Sequence, residues 1–134
     1  GGVAAGNAYM DGGGGNDRLL SGGGNDVMLG GGGNDAYVWF PGAGSDTWDG
    51  GSGSDTASFT GDDGFLGDAF ELLASGGLAV VRRTNLVPFS ASLASTETVV
   101  LRLGAGDDTL AIGDLSATSV GSVTVEAGAG NDLV

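Results

Sequence analysis

The sequence predicts an all-β chain wound as a repeat solenoid, and three observations carry that expectation. A nine-residue period occupies Gly12 to Ser58, running through Gly12–Leu20, Ser21–Leu29, Gly30–Val38, Pro41–Asp49 and Gly50–Ser58. Each unit opens on a glycine-rich half and closes on a triplet whose middle residue is apolar, the mark of a tight turn followed by a short strand. An aspartate stands sixth in every unit, at Asp17, Asp26, Asp35, Asp46 and Asp55. A flexible glycine linker has the composition but no reason to keep that period.

The pattern of each unit has a physical reading. Glycine supplies positive φ without steric cost, so the first half can curve tightly and turn several carbonyl oxygens toward one point. The sixth-position Asp adds a carboxylate. Calcium takes six to eight oxygens in flexible geometry, which suits carbonyls and carboxylates better than it suits zinc or magnesium. The candidate metal residues are those five aspartates with the glycines at positions two and four. These are Gly13, Gly15, Gly22, Gly24, Gly31, Gly33, Gly42, Gly44, Gly51 and Gly53. The middle residues of the triplets, Leu19, Met28, Tyr37, Trp48 and Ala57, are expected to face inward. A phosphate-cradling Walker loop is excluded because the chain has no Lys.

The consensus G-G-x-G-x-D-x-U-x, repeated five times, resembles the RTX (repeats-in-toxin) family of secreted bacterial proteins. The resemblance implies a right-handed parallel β-roll in which two nonapeptides make one coil of about 18 residues. Turns one coil apart would then share a calcium ion. Asp17 would pair with Asp35, Asp26 with Asp46, and Asp35 with Asp55; the last two pairs are 20 apart because Trp39-Phe40 is inserted. Two extra residues keep strand alternation, so the insertion should lengthen one strand to Ala36–Phe40 and point Trp39 inward. Later segments also resemble the family: Ala74-Ser75-Gly76-Gly77, Arg83 to Phe89, Thr96-Glu97 and Gly104 to Thr109. They imply that the β-solenoid continues in wider coils, with a small β cap over residues 59–102 as the other possibility.

Three segments follow. Residues 1–58 form the nonapeptide β-roll, with 1–11 as a degenerate first unit in which Ala8 stands where Asp would be. Residues 59–102 hold strands near Ala69–Ala74, Leu78–Arg83 and Thr98–Leu103, with Ser75-Gly76-Gly77 as a turn and Asn85 to Phe89 as a loop or edge. Asp62, Asp63 and Asp68 read as solvated turn residues. Residues 103–134 return to single repeats, adding the candidate ligands Asp108 and Asp132 around a strand at Ser122–Glu126. The last repeat is one residue short, so the chain reads as a piece of a longer protein or a subunit completed by neighbours.

Seventeen acids against four arginines give a net charge of −13. That balance excludes nucleic acid and anionic membranes as partners, and no apolar run approaches the ~18 residues of a membrane span. With no His, no Cys and no G-x-S-x-G, the chain carries no catalytic constellation. The expected function is a non-enzymatic, extracellular calcium-binding structural module that folds on calcium after type I secretion. Its exposed strand edges allow self-association end to end into a filament, layer or adhesive stalk. The alternative is a non-catalytic calcium-binding module of a larger secreted RTX enzyme or toxin.

Overall fold

In a computed structural model of the chain, residues 6–40, 43–61, 67–85 and 88–134 are described. Gly42, Asp62 and Asp63 lie outside them, as do the first five residues. The described residues form strands and no helix: β1 (Tyr9–Asp11), β2 (Arg18–Leu20), β3 (Val27–Gly32), β4 (Ala36–Trp39), β5 (Thr47–Ser52), β6 (Thr56–Thr60), β7 (Ala69–Ser75), β8 (Leu78–Arg83), β9 (Phe89–Ala94), β10 (Thr98–Arg102), β11 (Thr109–Ile112) and β12 (Ser122–Glu126).

Successive nonapeptides alternate between two sheets. β1, β3 and β5 stack in parallel in one; β2, β4 and β6 stack in parallel in the other. Register follows the expected offsets: Leu19 faces Tyr37, while Met28 faces Trp48 and Tyr37 faces Ala57 across the inserted pair. The degenerate first unit keeps the frame, with Met10 opposite Met28. One side of every strand therefore faces the interior, and Leu19, Met28, Tyr37, Trp39, Trp48 and Ala57 are all buried.

Beyond Ser58 the solenoid continues. β10 pairs in parallel with β6 and β12 with β10, so the second sheet gains one strand per coil. The first sheet does not stay parallel, which corrects the simplest reading of a wider coil. β7, β8 and β9 form an antiparallel meander, giving the order β1-β3-β5-β9-β8-β7-β11. The β7–β8 hairpin turns on Gly76 and Gly77, at φ of 58° and 81°, the paired left-handed conformation that two-residue hairpins favour. The first sheet thus has seven strands against five in the second. At about 4.8 Å per strand, the two extra strands add roughly 10 Å to the first sheet.

One expectation fails here. Phe89 is neither loop nor edge: it opens β9, is buried, and stacks on Trp39 with ring centroids 3.9 Å apart. Its strand, Phe-Ser-Ala-Ser-Leu-Ala, alternates buried and outward residues. Phe89 also lies against Phe59 and Phe70 at 6.1 Å, so one aromatic cluster joins the regular coils to the meander. Each such ring removes 150–250 Å² from water, on the order of several kcal/mol for the cluster.

Candidate metal centre

The turns form two columns along the solenoid. One precedes the strands of the second sheet and carries Asp17, Asp35, Asp55 and then Glu97. The other precedes the strands of the first sheet and carries Ala8, Asp26 and Asp46, then Asp68, Asp108 and Asp132 after the meander.

Each carboxylate is tied to the coil before it. Asp35 Oδ1 accepts the Asp17 N–H at 2.7 Å, Asp46 Oδ1 the Asp26 N–H at 2.9 Å, and Asp55 Oδ1 the Asp35 N–H at 2.8 Å. In the later coils Asp108 Oδ1 accepts from Asp68 at 2.7 Å and Asp132 Oδ1 from Asp108 at 3.0 Å. The coil offsets read from the sequence therefore bring together the expected partners. At the degenerate unit the Ala8 N–H reaches Asp26 Oδ1, and Ala8 contributes no carboxylate.

A second ladder, absent from the sequence reading, runs one residue earlier. Asn16 Oδ1 accepts the Asn34 N–H, and Asn34 Oδ1 accepts the Ser54 N–H. Asn7, Asn25 and Asp107 do the same for Asn25, Ser45 and Asn131. The Asn recurring before Asp17, Asp26 and Asp35 was the available signal; its short side chain satisfies a turn N–H in the next coil.

Whether an ion fits is tested by the second carboxylate oxygen. Asp17, Asp35, Asp55 and Asp108 each leave Oδ2 buried with no hydrogen-bond partner. Such an oxygen on a charged group costs at least about 1–3 kcal/mol unless something cationic meets it. A glycine at position one keeps the space beside it open. A Cβ at Gly12 would lie 2.7 Å from Asp17 Oδ2 and 2.6 Å from the Gly30 carbonyl oxygen; at Gly30 it would meet Asp35 Oδ2 and the Gly50 carbonyl at 2.6 and 2.5 Å. Carboxylate and next-coil carbonyl thus face one small space, a donor set of hard oxygens that fits calcium. Among the described residues no three acidic, His or Cys side chains converge on one point. An ion held in these turns would therefore draw heavily on backbone carbonyls.

The second column is mixed: Asp108 leaves its Oδ2 unpartnered, but two others do not. Asp26 Oδ2 accepts from the Gly22 N–H and Asp46 Oδ2 from the Tyr37 hydroxyl at 2.7 Å, so both are satisfied by protein. Burial raises the Asp46 carboxyl above the ordinary range, and burial with the adjacent Asp46 raises the Tyr37 phenol. Burial likewise pushes Asp55 and Asp108 up.

The glycines at positions two and four shape the stack. Gly13, Gly15, Gly24, Gly31, Gly33, Gly44, Gly51 and Gly53 all have positive φ. A Cβ at Gly31 or Gly33 would drive into the carbonyl of Gly13 or Gly15 in the coil before. Gly22 lies buried and donates to its own unit's Asp26. The carbonyls beside the orphaned carboxylate oxygens belong instead to position one, at Gly30 and Gly50, which the sequence reading did not single out.

Asp68 is not a solvated turn residue. It is buried, its N–H joins the ladder to Asp108, and its Oδ1 lies 3.2 Å from Arg83 Nη1. Arg83 is itself buried, with Cζ 5.5 Å from the Trp39 ring and 5.8 Å from that of Phe89. The return of the chain along β8 brings Arg83 to the turn column, a placement no local pattern encodes.

Residues 4–37 and 42–57 match the sequence model of the RTX calcium-binding nonapeptide repeat, in 4 copies. No match to a curated protein or to a solved structure was found. The matched repeat is non-catalytic in itself and typical of secreted bacterial proteins; no helix among the described residues is long and apolar enough to cross a membrane. These two stretches carry RTX calcium-binding nonapeptide repeats, and calcium is the ion such repeats bind.

Proposed function

We propose that the chain is an extracellular structural module whose folding is coupled to calcium, with Asp17, Asp26, Asp35, Asp46, Asp55, Asp108 and Asp132 as the acidic ligands. The observation that carries this reading is the set of buried, unpartnered carboxylate oxygens at Asp17, Asp35, Asp55 and Asp108. The effective penalty for burying an uncompensated carboxylate is several kcal/mol, and a domain's whole net stability is about 5–15 kcal/mol. Several such groups outweigh that margin, so the ionised, metal-free chain should not hold this fold. Where calcium is scarce, as inside a cell, the chain stays open and exportable; at extracellular concentrations the turns are neutralised and the coils stack.

Among the described residues the outermost strands of the two sheets are β1 and β2 on one side, and β12 and β11, the latter bridged by Leu133, on the other. Tyr9 is 67% exposed at the first end and Leu133 71% at the second. These edges support end-to-end assembly once calcium has ordered them. Circular dichroism with calcium titrated into chelated protein tests the switch: β signal should appear with calcium, and unchanged β content in chelator would refute it. Sedimentation over the same titration tests assembly, and a monomer at every concentration would retire that part.

A further inference from the structure

The turn between β9 and β10 contains no nonapeptide. Ser95-Thr96-Glu97 spans three residues where a repeat uses six, yet it places its oxygens as the repeats do. Glu97 Oε2 accepts the Asp55 N–H at 2.8 Å, the bond that Asp55 makes to Asp35 and Asp35 to Asp17. The Ser95 carbonyl faces Gly50 together with Asp55 Oδ2, as the Gly50 carbonyl faces Gly30 with Asp35 Oδ2. To reach that position Ser95 takes a φ of 47°, the left-handed region that a residue with a Cβ seldom enters. Thr96 is buried and its hydroxyl donates to the Ala94 carbonyl at 2.9 Å, holding the turn.

Asp55 is fully buried, and its Oδ2 has no partner. The charged groups acting on it are Asp35, Glu97 and Asp49, every one a carboxylate. An anion enclosed by anions, with an open cradle of oxygens beside it, calls for a cation.

We propose that Asp55, Glu97 and the Ser95 carbonyl hold a further calcium ion, outside the nonapeptide block, which fastens the wide coil to the regular roll. The inference rests on the proposed function. It extends the first column from Asp17 through Glu97, across a gap of 42 residues. Glu97 directly precedes Thr98, which pairs with Thr56 as Thr56 pairs with Ala36, so it holds in its coil the register position of Asp55 and Asp35.

Equilibrium dialysis of the full chain against calcium, with and without Glu97→Gln, tests this. Gln keeps an acceptor for the Asp55 N–H but removes the charge. The variant should bind one calcium fewer than the unmodified chain, or hold one ion at least about tenfold more weakly. Equal number and equal affinities overturn the inference and leave the proposed function standing. No calcium binding by either protein overturns both. If Glu97→Gln does not fold, Glu97→Asp decides: the full number of ions with one weakened site supports the Glu97 ligand, and binding identical to the unmodified chain refutes it.

Discussion

Asp35→Ala is the most informative perturbation of the repeats. Asp35 sits between two intervals of the first column, accepting from Asp17 and donating to Asp55, whereas Asp132 bounds one interval at the end of the second. At calcium a hundredfold above its dissociation constant, each lost site removes about 2.7 kcal/mol of linkage stability, so two remove about 5. The Asp17 N–H loses its acceptor as well, adding roughly 1 kcal/mol or more. The total of about 6 kcal/mol rivals the whole stability of a domain this size. Asp132→Ala should lose about half as much. The assay is the calcium midpoint for gain of β signal, compared for both variants with Asp114→Ala as an exposed control. Equal midpoints for Asp35→Ala and Asp132→Ala would refute the shared-ligand column.

Three other outcomes follow from the same geometry. Tyr37→Phe removes the hydroxyl that satisfies Asp46 Oδ2; calcium binding should change at the Asp26–Asp46 pair, with about 1–3 kcal/mol lost by thermal melt, and a neutral effect would deny that the hydrogen bond matters. Gly31→Ala forces a Cβ into the Gly13 carbonyl at a φ of 104°; the calcium midpoint should rise sharply, and wild-type behaviour would mean that the coils do not stack this closely. Acid should act oppositely with and without calcium. The folded, ion-free chain holds the Asp46, Asp55 and Asp108 carboxyls above their ordinary range, so their contribution is present at low pH and lost as pH rises through those raised values. In chelator, β signal should therefore grow on acidification, whereas in calcium acid should weaken it by competing with the ion; growth of β signal with rising pH in chelator would contradict this.

The repeats were legible because each states its structure locally. Leu19, Met28, Tyr37 and Trp48 share a period, and the two inserted residues after Val38 shift the offset without flipping a face. The hairpin at Gly76-Gly77 was legible for the same reason. What escaped depends on pairings far apart in sequence. Glu97 is an ordinary surface acid until β10 pairs with β6, and Asp68 reads as a turn residue until β8 returns Arg83 to it. Strand β9 was hidden by Pro88, which stands immediately before the strand and so interrupts no ladder. The preference for position-one carbonyls depends on where the next coil stacks, which a single unit cannot state.

Arg83 shows how the second column crosses the meander without an acidic rung in every strand. Beyond β5 the sheet runs through β9 to β8, and where β8 ends the guanidinium meets Asp68 beside the stacked Trp39 and Phe89 rings. A guanidinium stays charged at any ordinary pH and stacks on aromatic faces, so Asp68 is balanced by a cation the chain itself carries. Removing it takes a charged partner from a buried carboxylate, and Arg83→Ala should cost about 3–5 kcal/mol in saturating calcium. Arg83→Lys should recover only part, since an ammonium is more strongly hydrated and lacks the flat stacking face. Thermal melts with calcium in excess read both variants. If Arg83→Ala melts with the unmodified chain, the buried pair contributes nothing to holding the meander on the roll. If it instead keeps its stability by taking up one more calcium, then arginine and metal are interchangeable at this rung.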